Sequence, residues 1–180
     1  MSVSVQLIPQ ELAKSLIYDI ACIRIKVFRE FPYSYDGSVE YEVQYLGRYF
    51  KSKNAKFITA KDESSGKIVG VATVIPLIEE ETFVQKPFLD VGMDLQKICY
   101  FGESVLLPEY RGQGIGHKFF NERERYALSL PHINVTTFCA VKRPENHPLR
   151  PSHYKPLDAF WKTRGYQKQE SLVTSLNGKM

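Results

Sequence analysis

The stretch "ESVLLPEYRGQGIGHKFF", Glu103 to Phe120, sets an apolar strand-like run before three closely spaced glycines and a helix-like run after them. The glycines are Gly112, Gly114 and Gly116, and Arg111 stands just before the first. Glycine reaches backbone angles that other residues avoid and lets a neighbour approach the main chain closely. At a helix start the first N–H groups have no intrahelical partner, and the helix dipole adds partial positive charge. An anion can rest on both. The junction is therefore a candidate phosphate cradle, with a plain tight turn as the competing reading.

Two familiar phosphate motifs do not fit. The P-loop spacing needs a second glycine where His117 stands, and Lys118 is followed by Phe119 rather than serine or threonine. The dinucleotide fingerprint would also place its third glycine on His117. The spacing Arg-x-x-Gly-x-Gly is met by Arg111, Gly114 and Gly116, after "LLPEY" and before an amphipathic helix. On these residues the chain resembles the GCN5-related N-acetyltransferase superfamily, most specifically from Val105 to His117. A weaker echo, "FWKTRGY" from Phe160 to Tyr166, is similar to that family's "fYeklGF" ending.

The resemblance implies an α/β (α+β) fold: a mixed sheet of six or seven strands, splayed between the fourth and fifth, flanked by about four helices. It implies acetyl-coenzyme A as donor. The pyrophosphate would rest on the main-chain amides of Arg111, Gly112, Gln113, Gly114, Ile115, Gly116 and His117. The pantetheine arm would lie along the main chain of Val105 and Leu106.

Acetyl transfer needs a neutral amine, and an alkylammonium with a pKa near ~10 must first lose a proton. Glu103 is the sole ionisable carboxylate in "ICYFGESVLL" and is the candidate base; a glutamate facing solvent or pairing with a cation is the alternative. The tyrosine with which the family protonates the departing thiolate corresponds to Trp161, whose indole donates hydrogen bonds but does not yield its proton. Tyr154, before the same helix, is the candidate substitute acid. Lys142, Arg143 and Arg150 are candidate partners of the coenzyme's 3′-phosphate, with solvated loop charges as the alternative. Glu79, Glu80 and Glu81 either attract a cationic amine or form a solvated run. His132, His147 and His153 show no metal-ligand spacing, so no metal is expected.

Outward from the glycines, "VSVQLI" reads as a strand and Pro9 opens an amphipathic helix running to about Phe28. A second helix follows Ser38, with Val39, Val43, Leu46 and Phe50 at helical spacing. "AKFITAKDESSGKIVGVATVIPLI" is a hairpin with its turn at Asp62 to Gly66. Glu79 to Gln96 reads as irregular. "INVTTFCAV" has apolar residues at both parities, as in a central strand buried on both faces. A proline-rich loop, the short helix "LDAFWKTRG" and a last strand "YQKQESLVTSL" complete the chain.

At 180 residues one domain, 1–180, is expected. The chain is 43% hydrophobic and 24% charged, ordinary for a soluble protein, and its net charge of +4 is scattered rather than gathered into a nucleic-acid groove. The three cysteines, Cys22, Cys99 and Cys139, are widely spaced, no signal-peptide pattern opens the chain, and no apolar run reaches the ~20 residues of a membrane span. A reduced, cytoplasmic protein with no nucleic-acid or membrane partner is expected. Its acceptor would be a small-molecule or peptide amine. Two alternatives stay open: another acyl donor, or a coenzyme A-binding regulatory module without turnover, which the departure at Trp161 keeps open. A sheet edge left bare by a short C-terminal region would suit a homodimer.

Overall fold

The computed structural model describes residues 2–175. Four strands form an antiparallel meander: β1 (Val3–Ile8), β2 (Lys56–Asp62), β3 (Ile68–Pro76) and β4 (Ile98–Leu106). A short fifth strand, β5 (Val135–Thr137), joins β4 in parallel, so the sheet runs β1-β2-β3-β4-β5. Six helices accompany it among the described residues: α1 (Gln10–Ser15), α2 (Ile17–Phe28), α3 (Val39–Gly47), α4 (Thr82–Asp90), α5 (Ile115–Ser129) and α6 (Asp158–Thr163).

The sheet is buried on both faces, which explains the nearly unbroken apolar runs of β2 and β3. Side chains alternate between faces at period two. Phe57, Val71, Ile75, Ile98 and Tyr100 pack under Ile20, Ala21 and Ile23 of α2 and Leu46 of α3. Ile58, Ala72, Val74, Cys99 and Phe101 pack under Ile115, Phe119, Phe120 and Ala127 of α5.

One irregularity matters most. Residues 70–72 pair with 106–104, but residues 74–76 pair with 101–99, so Gly102 and Glu103 together face Thr73. This bulge inserts one residue into β4 and reverses its facing from there on. Glu103 and Val105 thereby join the α2–α3 face with Ile98 and Tyr100, whereas unbroken alternation would have sent Glu103 toward α5. The bulge is pinned by the Glu103 N–H donating to Thr73 Oγ1 at 3.2 Å. A Cβ on Gly102 would overlap Thr73 Oγ1 and lie 2.6 Å from the Tyr49 hydroxyl, so glycine is required for that close approach.

Several sequence expectations are corrected. The sheet has five strands among the described residues, not six or seven. The first helix is broken at Leu16, where the Ser15 hydroxyl bonds back to the Leu12 carbonyl at 2.7 Å. The stretch read as irregular contains α4, with Pro87 inside it. Pro87 cannot donate to the Phe83 carbonyl, and the Thr174 hydroxyl takes that carbonyl instead at 2.7 Å. The expected central strand "INVTTFCAV" yields only β5, at the end of the sheet order, with Val135 36% exposed. The expected last strand forms no ladder over the described residues 166–175, since Gln167 to Glu170 offer no apolar alternation; its final residue, Leu176, lies outside the described residues.

Gly102→Ala should cost about 1–3 kcal/mol, the usual range for overpacking, measured by urea unfolding. An unchanged midpoint would contradict the close approach of Thr73 and Tyr49 to this bulge.

Candidate active site

At the end of β4 the chain turns through residues 107–114 into α5. Gly112 and Gly114 have φ of +75° and +76°, and Gly114 is the residue that caps α5. A Cβ at either would meet nothing within 4 Å, so it is the backbone angle that demands glycine here. A side chain at either position would project into the open space before the loop. Among the described residues, no acceptor takes the amides of Gly112, Gln113, Gly114, Ile115, Gly116 or His117. Arg111 differs from the expectation: its N–H already donates to the Pro108 carbonyl at 3.1 Å. Its guanidinium is also engaged. It forms a two-pronged pair with Glu30 at 2.8 and 3.2 Å, and its Nε donates to the Leu106 carbonyl at 3.1 Å. Arg111 therefore braces the loop against the chain just past α2, leaving six free amides at a helix start. These residues fit a pyrophosphate.

The neighbouring edge of β4 is open. Strand β5 pairs only with Ile98, Cys99 and Tyr100, which among the described residues leaves the second half of β4 without a ladder partner on that side. The Leu107 N–H donates to Val69 at 2.9 Å, which sets the phase of the antiparallel ladder. Val105, opposite Val71, directs its main chain into the sheet, while Ser104 and Leu106 direct theirs to the open side. Leu106 thus turns its main chain to the open side, where its carbonyl already accepts from Arg111 Nε and its N–H faces outward; Val105 does not, and Ser104 does.

Glu103 is buried, and Arg24 of α2 holds it. Arg24 Nε also meets Glu42 Oε2 of α3 at 2.5 Å, and Arg24 Nη1 forms an ion pair with Glu103 Oε1. The side chains of all three are at most 6% exposed. Burial penalises the Arg24 cation, but the field of Glu103, with those of Tyr45 and Glu42, outweighs it and holds Arg24 protonated well above its ordinary range. Two carboxyl groups thus share one guanidinium. The Arg24 guanidinium also lies 4.5 Å from the Tyr45 ring centre and 4.9 Å from that of Phe28. Tyr33, 38% exposed as a residue, stands near this cluster. Burial and the Glu103 charge push that phenol up to about 12, so it is a neutral donor at pH 7.

Arg24 and Glu42 are the residues sequence reading missed. Both signals were present. Arg24 lies four residues from Ile20 and from Phe28, inside the apolar stripe of α2, and Glu42 lies among Val39, Val43 and Leu46 of α3. A charge inside such a stripe calls for a buried partner.

The proline-rich loop packs against residues 31–33. Tyr154 meets Phe31 edge to face at 4.7 Å. Arg143 donates to the carbonyls of Pro32 and Tyr33 at 2.8 and 3.0 Å. Arg150 lies 5.1 Å from the Tyr154 ring centre, and Lys142 pairs with Glu170 at 3.8 Å. The three cations expected to meet a phosphate are thus engaged within the chain. Trp161 packs on Phe138 at 5.1 Å, on the α5 side of the sheet. Helix α6 closes over the start of α5: the Phe160 ring is 4.7 Å from that of His117, and Arg164 reaches His117, Asn121 and Glu124 at 3.1, 2.8 and 2.7 Å.

Comparison with known proteins agrees with this architecture. No curated protein matches the sequence. A possible acetyltransferase from Clostridium difficile 630 superposes with a TM-score of 0.65 at 10% identity, over 100% of this chain and 99% of that one. The aminoglycoside acetyltransferase AAC(6')-Iy, in complex with a bisubstrate analog of coenzyme A, gives 0.63 at 11% identity, over 99% of this chain and 100% of that one. An aminoglycoside acetyltransferase from an uncultured soil metagenomic sample gives 0.60 at 15% identity, over 100% and 99%. At such identities the likeness shows the fold. Residues 23–158 match the family model of the Acetyltransferase (GNAT) family, and with most of its length covered this chain belongs to that family.

Proposed function

We propose that the protein is an acetyl-coenzyme A-dependent N-acetyltransferase that moves the acetyl group to a primary amine by direct attack in a ternary complex. The observation that carries this reading is the row of six free amides, Gly112 to His117, beside the open edge of β4. The amides would hold the pyrophosphate, and the main chains of Ser104 and Leu106 would hold the pantetheine arm. When bound, the coenzyme supplies a thioester whose carbonyl carbon is open to an amine. The fold-level likeness to aminoglycoside acetyltransferases favours a small-molecule acceptor over a peptide. The three cysteines are free, which suits a reducing compartment such as the cytoplasm.

In this reading Glu103 takes the ammonium proton, directly or through one water. Its ion pair with Arg24 does not forbid this. Glu42 remains on Arg24, so the cluster gains a proton without leaving the guanidinium unpaired. The bulge fixes the carboxylate on the α2–α3 face, from which the acceptor would enter. Tyr154, on the loop that packs on Phe31, would return a proton to the leaving sulfur. Trp161 would act through packing alone, because its indole has no proton to give at neutral pH.

Acetyl-coenzyme A should raise the melting temperature, with stabilisation of about 2.7 kcal/mol at a hundredfold excess over Kd. Gly114→Val should abolish most of that shift while the protein stays folded by circular dichroism. A well-folded Gly114→Val protein with unchanged affinity would remove the loop from the proposal.

Glu103→Gln should spare coenzyme binding and lower kcat/KM by roughly 10²–10⁴-fold near neutral pH, the usual scale of general-base catalysis. The loss should shrink as pH rises, because more of the amine is then already neutral. It is read from thiol release across pH. Wild-type rates at every pH would make Glu103 a structural residue only.

A further inference from the structure

Past the end of β3 the chain makes a tight turn, Leu77–Glu79, and the carboxylates that follow border a cleft of about 380 Å³. Arg48, Lys51, Ile75, Glu79, Glu80 and Glu81 line it. Three carboxylates stand against two cations, so one negative charge is uncompensated. Glu79 accepts from the Ser52 hydroxyl and, at 2.8 Å, from Asn54 Nδ2. Glu81 pairs with Arg48 Nη1 at 3.0 Å.

Glu80 is different. Its side chain is 1% exposed. One oxygen, Oε1, accepts from Arg48 Nη1 at 2.5 Å and from the Glu81 amide at 3.1 Å. The other, Oε2, is buried and accepts nothing among the described residues. Buried carboxylate oxygens without a donor are rare, because the lost hydration is not returned. Burial accordingly raises the affinity of Glu80 for a proton, against the opposing field of Arg48. Arg48 Nε is also unbonded, but the rest of that guanidinium already serves Glu80, Glu81, Tyr45 and Tyr49. The surplus in the cleft is acidic, so the missing partner is a cationic donor, and an anion would be repelled.

The cleft lies on the same face of the sheet as Glu103. Ile75 is paired with Tyr100, two to three residues along β4 from the bulge. At about 3.3 Å per residue that separation is roughly 7–10 Å. The two places are joined by polar contacts. Arg48 Nη2 donates to the Tyr49 hydroxyl at 3.3 Å, Thr73 Oγ1 donates to the same hydroxyl at 3.4 Å, and Glu103 N–H donates to Thr73 Oγ1 at 3.2 Å.

We propose that this cleft is a second ammonium subsite. The acceptor would be a di- or oligoamine whose far ammonium meets Glu80 Oε2 while its near amine is acetylated beside Glu103. The proposal rests on the acetyltransferase reading and adds the substrate class. Spacing selects for chain length: an amine without a second charge leaves Oε2 unpaired, and a short diamine cannot reach it.

The test compares cadaverine and spermidine with n-pentylamine as acceptors, by thiol release, in wild type, Glu80→Gln and Glu81→Gln. Calorimetry of cadaverine and n-pentylamine with the protein alone runs alongside. Wild type should favour cadaverine and spermidine over n-pentylamine by roughly tenfold or more in kcat/KM, carried by KM, a difference of about 1.4 kcal/mol. Glu80→Gln should erase most of that ratio. Glu81→Gln, at the exposed rim, should reduce it less and guards against a Glu80 variant that folds poorly. Equal kcat/KM for cadaverine and n-pentylamine in wild type would overturn the subsite and leave the acetyltransferase reading standing. If no amine releases thiol, that reading fails, and calorimetry decides the subsite by itself. Cadaverine heat that is absent with n-pentylamine and lost in Glu80→Gln supports it, and the absence of such heat overturns it.

Discussion

One guanidinium, that of Arg24, holds two carboxylates that come from different parts of the chain, Glu42 of α3 and Glu103 of β4. The three groups are buried and would each be costly alone. Together they tie two helices to the strand that borders the candidate site. Removing Arg24 from such a buried set typically costs on the order of 3–5 kcal/mol, because both carboxylates are then left without a partner. The cluster can form only because β4 carries one extra residue at Gly102–Glu103. The bulge decides which face Glu103 joins, and so decides whether a carboxylate stands on the acceptor side at all.

The same strand defines the other half of the site. Strand β5 pairs with three residues of β4 and then diverges. The second half of β4 keeps an open edge that leads directly into the loop of left-handed glycines. An exposed ladder edge and a row of free helix amides are both sites of unmet hydrogen-bonding capacity, and here they adjoin. Arg111 keeps them in register by bonding the Leu106 carbonyl from one side and Glu30 from the other. The loop that would hold phosphate is thereby coupled to the C-terminal end of α2, the helix that carries Arg24.

Much of this was legible in the sequence. The hairpin, β4, the glycine turn, α5 and α6 follow from periodicity and from punctuation by glycine and proline. The spacing Arg111, Gly114, Gly116 carried the family resemblance. Other features depend on contacts distant in the chain. A bulge is invisible in "YFGESVLL" because it is set by register against Thr73, thirty positions away from Glu103. Strand β5 looked central because its apolar residues fall at both parities, yet Phe138, just beyond it, packs on Phe120, Trp161 and Tyr166 outside the ladder. The Arg111 amide was expected to face phosphate, but the turn at Pro108 takes that amide, and Glu30, two residues past the end of α2, takes the guanidinium. Arg24 and Glu42 could have been found, since each breaks an apolar stripe, but only their pairing shows why.

The central claim is that a coenzyme lies along the open edge of β4 and on the amides that follow it. Backbone amide resonances of the isotope-labelled protein, followed during titration with coenzyme A, test it without any substitution. The account predicts the largest shifts at Gly112 to His117, with smaller ones at Ser104 and Leu106 and little change at Val105. Saturable shifts confined to other parts of the sheet, with the glycine loop unmoved, would contradict it.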